Sequence, residues 1–401
     1  VVSLDVGTSK IKAAMAEVYG QDRHILGIAH VPSLGLRKGN IIDIESTAKS
    51  IDTCLNELER LTGIEIFGAT VGFSSVSISI ISNHAVVAVG NPIYEINEED
   101  KQRVLQSARN ISLPLDRTII QTIEKQYIVD GYDGVKDPVG MVGSRLEAEV
   151  AVVVGAVAGI QNLQRTAHRI NLRINQLVYN SLLASSAVLS PTEKEMGVGL
   201  VDIGGGTIEI SYFENGSMIN TTVLPMGGEY ITKDLAIVLR TSMEEAAKIK
   251  ENHGLASPDM ANNEIMLNVP NIQGKETSKI SQQVVADIIS ARVIEMSEMI
   301  MAEFEQFGCL EYMPAGIVLT GGGAELAGFA KVMEEYINIP VRLGWPENIK
   351  GITDEYNRPQ NAAVLGGLLY NQQHMVKTPA GNNQVNGMVE KVSSWFRDLF
   401  R

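Results

Sequence analysis

Positive charge is scarce in this sequence: 33 Lys and Arg stand against 47 Asp and Glu, a formal charge of −14. Nucleic-acid surfaces neutralise phosphates with clustered Lys and Arg, and no basic stripe is visible, so no nucleic-acid partner is expected. Cysteine is nearly absent. Cys54 and Cys309 stand far apart with no CxxC, which excludes a disulfide framework and predicts reduced core thiols in a cytosolic protein. Long hydrophobic runs are missing too. The longest, 150–160, is about half of the ~20 residues that a membrane span needs and contains Gly155 and Gly159, so it reads as a buried strand. No secretory signal is visible. The catalytic signatures HExxH, GxSxG and GxxxxGK[ST] do not occur, the six histidines are scattered, and no Cys/His cluster has zinc spacing.

Glycine is where the chain becomes specific. Residues 201–213 read Val-Asp-Ile-Gly-Gly-Gly-Thr-Ile-Glu-Ile-Ser-Tyr-Phe. Apolar residues run into Asp202, glycines permit a turn that side chains would block, and a β-prone stretch leads out, which predicts a hairpin with a backbone-lined tip. Successive N–H groups at such a tip can cradle phosphate. Residues 1–14 repeat the arrangement, with Asp5 in the place of Asp202. A third glycine cluster, Gly321, Gly322 and Gly323, follows the strand-like 317–320. Two hairpins with matching aspartates suggest a nucleotide held between two related domains, with Asp5 and Asp202 placed to hold a hydrated Mg²⁺. A Rossmann reading fails, because neither hairpin gives GxGxxG leading straight into a helix with an acid about 20 residues on. The chain length of 401 residues allows at least two such domains.

Between the motifs, apolar spacing predicts a helix over 46–61 and strands over 66–73, 76–81 and 85–89. Residues 84–171 read as a self-contained insert: a helix capped by Asn97 with Asp100, strands over 118–123, 126–129 and 147–157, and a helix over 160–170. A helix-prone stretch occupies 177–189. Helices are expected after Pro225-Met-Gly-Gly, over 242–253 and over 281–307, where Val284, Val285, Ile288, Ile289, Val293, Met296, Met299 and Ile300 fall largely along one side. Residues 256–275 read as loop with one short strand, Gly321 as a turn opening a helix, and 361–370 as a small-residue helix for close packing between domains. Pattern is lost over 371–387, which reads as a linker.

Leu4-Asp-Val-Gly-Thr, Leu200-Val-Asp-Ile-Gly-Gly-Gly-Thr and Val318-Leu-Thr-Gly-Gly-Gly-Ala resemble the phosphate 1, phosphate 2 and adenosine motifs of the actin, Hsp70 and sugar-kinase superfamily. Within it the chain resembles the FtsA family of bacterial cell-division actin homologues, through Arg37-Lys-Gly-Asn-Ile-Ile-Asp, Gln126-Tyr-Ile-Val-Asp-Gly with Asp137-Pro-Val-Gly-Met, Arg145-Leu-Glu-Ala-Glu-Val and Pro225-Met-Gly-Gly. The resemblance implies an α/β, actin-like fold of two related domains around a nucleotide cleft: subdomain 1A over 1–83 and 172–196, 1C over 84–171, 2A over 197–226 and 308–370, and 2B over 227–307. It implies ATP, with phosphate contacts at Gly7, Thr8, Ser9, Gly204, Gly205, Gly206 and Thr207, Mg²⁺ held through water by Asp5 and Asp202, and adenosine at Gly228, Lys250, Gly321, Gly322 and Gly323. Two positions depart from the family pattern: Ala247 stands where an acid would meet ribose, and Asn180 where Glu or Gln would meet the attacking water. ATP turnover is therefore expected to be slow or absent.

The function implied is structural: an ATP-binding, filament-forming adaptor that ties the tubulin-like FtsZ to the cytoplasmic face of the inner membrane at the division site. The FtsZ C-terminal peptide would lie along 281–307 near Arg292, and 1C would meet a neighbouring subunit or later division proteins. A small-molecule kinase of the same superfamily is the alternative, and it lacks an evident carboxylate beside the terminal phosphate. A chaperone ATPase is disfavoured, since no β-rich substrate domain follows. Residues 388–401 complete the reading. At ~100° per residue, Val389, Val392, Trp395, Phe396, Leu399 and Phe400 fall within an arc of roughly 140°, with charged and polar residues opposite, the pattern of a reversible membrane anchor.

Overall fold

The structure, a computed structural model, describes residues 1–20, 22–90, 94–274 and 276–370. Its first lobe starts with β1 (Val2–Val6), β2 (Lys10–Tyr19) and β3 (Asp22–Pro32), an antiparallel meander. A two-residue ladder follows, β4 (Leu36–Arg37) with β5 (Asn40–Ile41), where Lys38 and Gly39 take positive φ in the turn. Residues 35–40, which the sequence alone presents as a surface loop, thus form a small hairpin. Helix α1 (Ile44–Thr62) begins where Asp43 accepts from the N–H groups of Glu45 and Ser46, and stops at Gly63 in the left-handed conformation. It buries Ile51, Cys54, Leu55 and Leu58 on the sheet. Strand β6 (Gly68–Phe73) then pairs parallel to β1.

The insert carries its own sheet, in the order β7-β10-β8-β9. Strand β7 (Ser79–Ala88) is continuous, although two strands, 76–81 and 85–89, are predicted from sequence. Its ten-position ladder with β10 holds Asn83 and His84 extended, and pairing overrides their weak β preference. Helix α2 (Glu98–Arg109) carries the expected capping box of Asn97 and Asp100. Strand β8 (Arg117–Val129) likewise replaces two predicted strands, the apparent break at Lys125 being a bulge. Strands β9 (Tyr132–Val135) and β10 (Arg145–Ala156) complete the sheet, and α2 closes its core over Val104, Leu105, Leu146, Val150 and Val152.

Helix α3 (Val157–Arg169) returns to the first lobe, burying Ile160, Leu163 and Ala167 in that lobe's core. We therefore place the insert at about 79–156 rather than 84–171. Residues 173–179, predicted as partly helical, form β11 (Arg173–Tyr179) parallel to β6, and α4 (Asn180–Val188) begins only at Asn180. Leu177 and Val178 suit either state, and the open edge of β6 decides. A short helix, α5 (Pro191–Met196), leads to the second lobe.

The second lobe repeats the plan. Strands β12 (Val198–Ile203), β13 (Ile208–Glu214) and β14 (Ser217–Leu224) form the meander, with β17 (Ile317–Thr320) and β18 (Val341–Leu343) added in parallel. In chain order between them come α6 (Gly228–Val238), α7 (Met243–His253), β15 (Met266–Pro270), β16 (Thr277–Ser281) and α8 (Gln282–Phe307). The predicted lone strand of 256–275 has β16 as its antiparallel partner. Helix α9 (Phe329–Ile337) starts eight residues after Gly321, so the third glycine cluster ends in turns, not in a helix N-terminus. Helix α10 (Ala362–Leu369), assigned from sequence to 2A, packs on the first lobe instead: Val364, Leu365 and Leu368 cover Ala14, Ala16 and Ile28. A Cβ on Gly366 would lie 1.8 Å from the carbonyl oxygen of Leu183, so its small residues serve contact with α4. No helix among the described residues is long and apolar enough to cross a membrane.

Candidate functional site

The two hairpin tips meet. A Cβ on Gly205 would lie 2.7 Å from Ser9 Cβ, and one on Gly206 2.7 Å from Thr8 Cγ2, so glycine is what lets the tips approach across the lobes. Behind the second tip, the N–H groups of Gly228 and Glu229 at the start of α6 donate to the carbonyls of Gly204 and Gly205, each at 2.9 Å. The third cluster closes the other side. Gly321 has φ +84°, and a Cβ there would lie 2.2 Å from Asp202 Oδ1; the Gly323 N–H donates to the Ile203 carbonyl at 2.7 Å. Gly321 and Gly323 thus owe their identity to contact with β12, while Gly322 is open.

Together these elements enclose a cavity of about 610 Å³ between the lobes. Asp5, Gly7, Thr8, Ser9, Asp202, Gly204, Gly205, Thr207, Gly228, Lys250 and the three glycines 321–323 line it; Gly206 does not, being turned onto Thr8. Sequence reasoning missed Gly39, which lines the cavity and donates its N–H to Thr8 Oγ1 at 2.9 Å, and it missed Glu209. The signal for Glu209 was present: in a hairpin with this tip, Asp202 and Glu209 fall directly opposite, as Asp5 and Lys12 do in the first. Glu209 thus puts at the cavity a carboxylate that the sequence alone does not make evident for the kinase alternative.

The electrostatics follow from crowding like charges in a buried place. Burial raises the pKa of Asp5, opposed by Lys12 and by Asn180, whose Nδ2 donates to Asp5 Oδ1 at 3.0 Å. Asp202 is pushed up to about 7 by burial and by Asp5, with Lys12 opposing. Glu209 rises well above the usual carboxylate range through burial and the neighbouring Asp202. Lys12 is lowered by burial, against the pull of Asp5 and Asp202. Three acids around one buried ammonium make a site that a cation stabilises.

On the far side, Lys250 Nζ donates to the Gly228 carbonyl at 3.0 Å and to Thr232 Oγ1 at 2.8 Å, which ties α7 to α6. Ala247 is not among the lining residues, but Glu251, one turn on, is. Arg292 lies outside the cavity and is engaged: it holds Asp234 through Nε and Nη2 at 2.6 and 2.9 Å, pairs with Glu295, and stacks over Tyr230. Val389, Val392, Trp395, Phe396, Leu399 and Phe400 lie outside the described residues.

A family model described as Cell division protein FtsA matches residues 199–366, and one described as SHS2 domain inserted in FTSA matches 76–154. A Bacillus subtilis protein named Cell division protein FtsA is 40% identical, over 88% of this chain and 80% of its own length. The chain belongs to the FtsA family. Its Pseudomonas aeruginosa relative of the same name is 36% identical over 93% of this chain and 89% of its own length. Membership makes this an actin-like cell-division protein and disfavours the kinase reading. Solved structures agree on the fold: the PilM-PilN type IV pilus biogenesis complex matches with a TM-score of 0.65 at 16% identity, covering 92% of this chain and 97% of that one. MreB5 of Spiroplasma citri bound to ADP matches at 0.55 and 12% identity, covering 92% and 95%. In this FtsA-family chain the SHS2 match coincides closely with the sheet of the insert.

Proposed function

We propose that the cleft binds ATP with Mg²⁺, and that the nucleotide-bound chain polymerises into an adaptor between FtsZ and the membrane at the division site. The observation that carries the nucleotide reading is the meeting of two glycine-tipped hairpins, each with a buried aspartate, at one interlobe cavity. The fit is good on size, because small-molecule sites run to about 300–1,000 Å³. It is good on chemistry: Gly7, Thr8, Ser9, Gly204, Gly205 and Thr207 offer backbone and hydroxyl donors, and Asp5 and Asp202 offer oxygens for Mg²⁺ through water. Gly206 supports the phosphate tip by packing on Thr8. Gly228, Lys250 and Gly321 to Gly323 border the adenosine end, where Glu251 supplies the acid that position 247 lacks. Bound Mg²⁺ would neutralise phosphate charge; Lys12 and the hairpin N–H groups would orient the phosphates.

The partners follow from family membership and sequence. FtsZ would dock its C-terminal peptide along α8, the insert would contact a neighbouring subunit or later division proteins, and 388–401 would attach to lipid on the cytoplasmic face. Equilibrium titration with a fluorescent ATP analogue, with and without Mg²⁺, tests the first step: Asp202→Ala should weaken Mg²⁺-dependent affinity, and an unmodified protein that binds no nucleotide would refute it. Sedimentation with ATP, Mg²⁺ and vesicles, with and without 388–401, tests assembly and attachment together.

A further inference from the structure

Four hydroxyl groups lie in the joint between the lobes, and they form one chain. Tyr179, at the end of β11, and Ser181, in the first turn of α4, belong to the first lobe; Ser211 of β13 and Thr221 of β14 stand opposite each other in the second. Tyr179 Oη lies 2.9 Å from Thr221 Oγ1, Thr221 Oγ1 lies 2.8 Å from Ser211 Oγ, and Ser211 Oγ lies 2.6 Å from Ser181 Oγ. All four residues are buried.

Their protons can be placed in one way. Thr221 donates to the Ile210 carbonyl at 3.0 Å, so it has no proton left for its neighbours and must accept from both Tyr179 and Ser211. Ser211, having given its proton to Thr221, accepts from Ser181. Burial foremost, and Glu209 nearby, raise the Tyr179 pKa well above the usual phenol value, so the proton it donates stays on it. No donor is left over. Both bonds that cross between the lobes, Tyr179 to Thr221 and Ser181 to Ser211, run to the same carbonyl.

The rest of this joint is apolar: Leu182 and Val188 of α4 share one core with Leu200, Phe213 and Val223 of the second lobe. Apolar contact is non-directional, so it holds two surfaces together without fixing how they are turned. An O–H···O bond is directional and keeps its oxygens within about 2.5–3.0 Å. Burying hydroxyls costs what methyl groups would not, so cohesion alone does not account for them. The chain also starts at the cavity floor, because Ser181 follows the lining residue Asn180 and its own N–H donates to the Glu209 carboxylate.

We propose that this hydroxyl chain is a register lock between the lobes, holding the empty cleft at the angle that brings the two hairpin tips together. The tips need one, since the contacts of Gly205 with Ser9 and of Gly206 with Thr8 leave no slack. The lock acts without nucleotide; only its effect on affinity rests on the ATP reading above.

Tyr179→Phe combined with Ser181→Ala severs both crossing bonds and strands no donor, because Ser211, Thr221 and the Ile210 carbonyl stay joined. In the full-length protein, Asn56→Cys on α1 and Glu335→Cys on α9 carry spin labels at exposed sites of the two lobes, Cys54 and Cys309 being buried. Without nucleotide, double electron–electron resonance should give a narrow distance distribution in the labelled parent and one about twice as wide in the double variant, with melting temperatures within about 3 °C. Ser181→Ala alone should widen it less. ATP with Mg²⁺, gripping both tips, should narrow it again, and affinity for a non-hydrolysable analogue should fall about tenfold, since fewer molecules hold the competent angle. Thr221→Val strands the Tyr179 and Ser211 protons and should melt lowest of the set. An unchanged distribution in the double variant overturns the proposal. So does a widening that comes only with a melting temperature as low as that of Thr221→Val, which marks a merely structural role. A parent that binds no nucleotide strikes the ATP reading instead, and the nucleotide-free distances then decide the lock by themselves.

Discussion

Asp202 shows how one residue reports on the whole cleft. Burial and the nearby Asp5 both oppose its charge and push its pKa up to about 7 from the ordinary 3.8. The folded state therefore binds more protons than the unfolded state across that interval, and the stability it contributes, complete below pH ~4, is lost as pH rises through ~7. Without nucleotide or Mg²⁺, the melting temperature should fall between pH 5 and 8, and it should fall less in Asp202→Asn, which carries no proton to lose. Scanning calorimetry across that range checks the sign; a steeper fall in Asp202→Asn would show that another group controls it. Added Mg²⁺ should flatten the slope in the unmodified chain, since a cation offsets the repulsion that raises the pKa.

At the scale of elements, helix α8 was legible from its period, and the part its polar face plays was not. Val285, Ile289, Val293, Met296 and Ile300 are buried as spacing predicts, but Val284 is 41% exposed. Arg292, free to meet an acidic peptide on sequence grounds, instead clamps α6 through Asp234. Arg292→Ala should lower stability by about 1 kcal/mol, and Arg292→Lys should recover only part, because Lys cannot make the two-pronged contact. Urea unfolding of the two variants measures this. Any loss of FtsZ-peptide binding by Arg292→Glu must be read beside Arg292→Lys, which keeps the charge and loses the geometry. The insert is separable in another way: none of its residues lines the cavity. It is tied to the body by hydrogen bonds, among them Lys136 Nζ to the Asn215 carbonyl at 2.9 Å, Ser217 Oγ to the Glu124 carbonyl at 3.3 Å and Gln121 to Tyr370, and by packing, since Val153, Ile80, Ile120 and Ile123 join the first lobe's core. Replacing 79–156 with a short linker should leave ATP affinity within about threefold by titration. A larger loss in a folded product would tie the insert to the cleft.

For the whole molecule, the proposed attachment by 388–401 would be a question of number. Burying six apolar side chains at ~1.5–3 kcal/mol each is offset by partial insertion and by ordering about a dozen residues at ~1 kcal/mol apiece, so a single tail should bind lipid weakly. Many tails on one polymer bind together, and membrane attachment should rise steeply with assembly. Trp395→Glu should abolish vesicle co-sedimentation under assembling conditions while ATP affinity stays unchanged. Persistent sedimentation with lipid would show that the attachment lies elsewhere.

The sequence by itself determined the local and repeated features. Glycine turns flanked by apolar strands, Asp5 and Asp202 at matching places, the Asn97 cap and the α8 stripe depend on neighbours in the chain, and each formed where its residues stand. Tertiary structure decided what depends on partners distant in sequence. Whether 173–179 extends or coils was settled by the free edge of β6, and continuity through Asn83 and Lys125 by the ladders of β10. The lobe that receives α10 was chosen by the fit of Gly366 and Gly367 against Leu183 and Ser3, a matter of ångströms that no periodicity encodes. Glu209 stands between the two. Its face was readable from the hairpin register, but its burial beside Asp202, with Ser74 and Ser181 as neighbouring donors, exists only in the folded cleft.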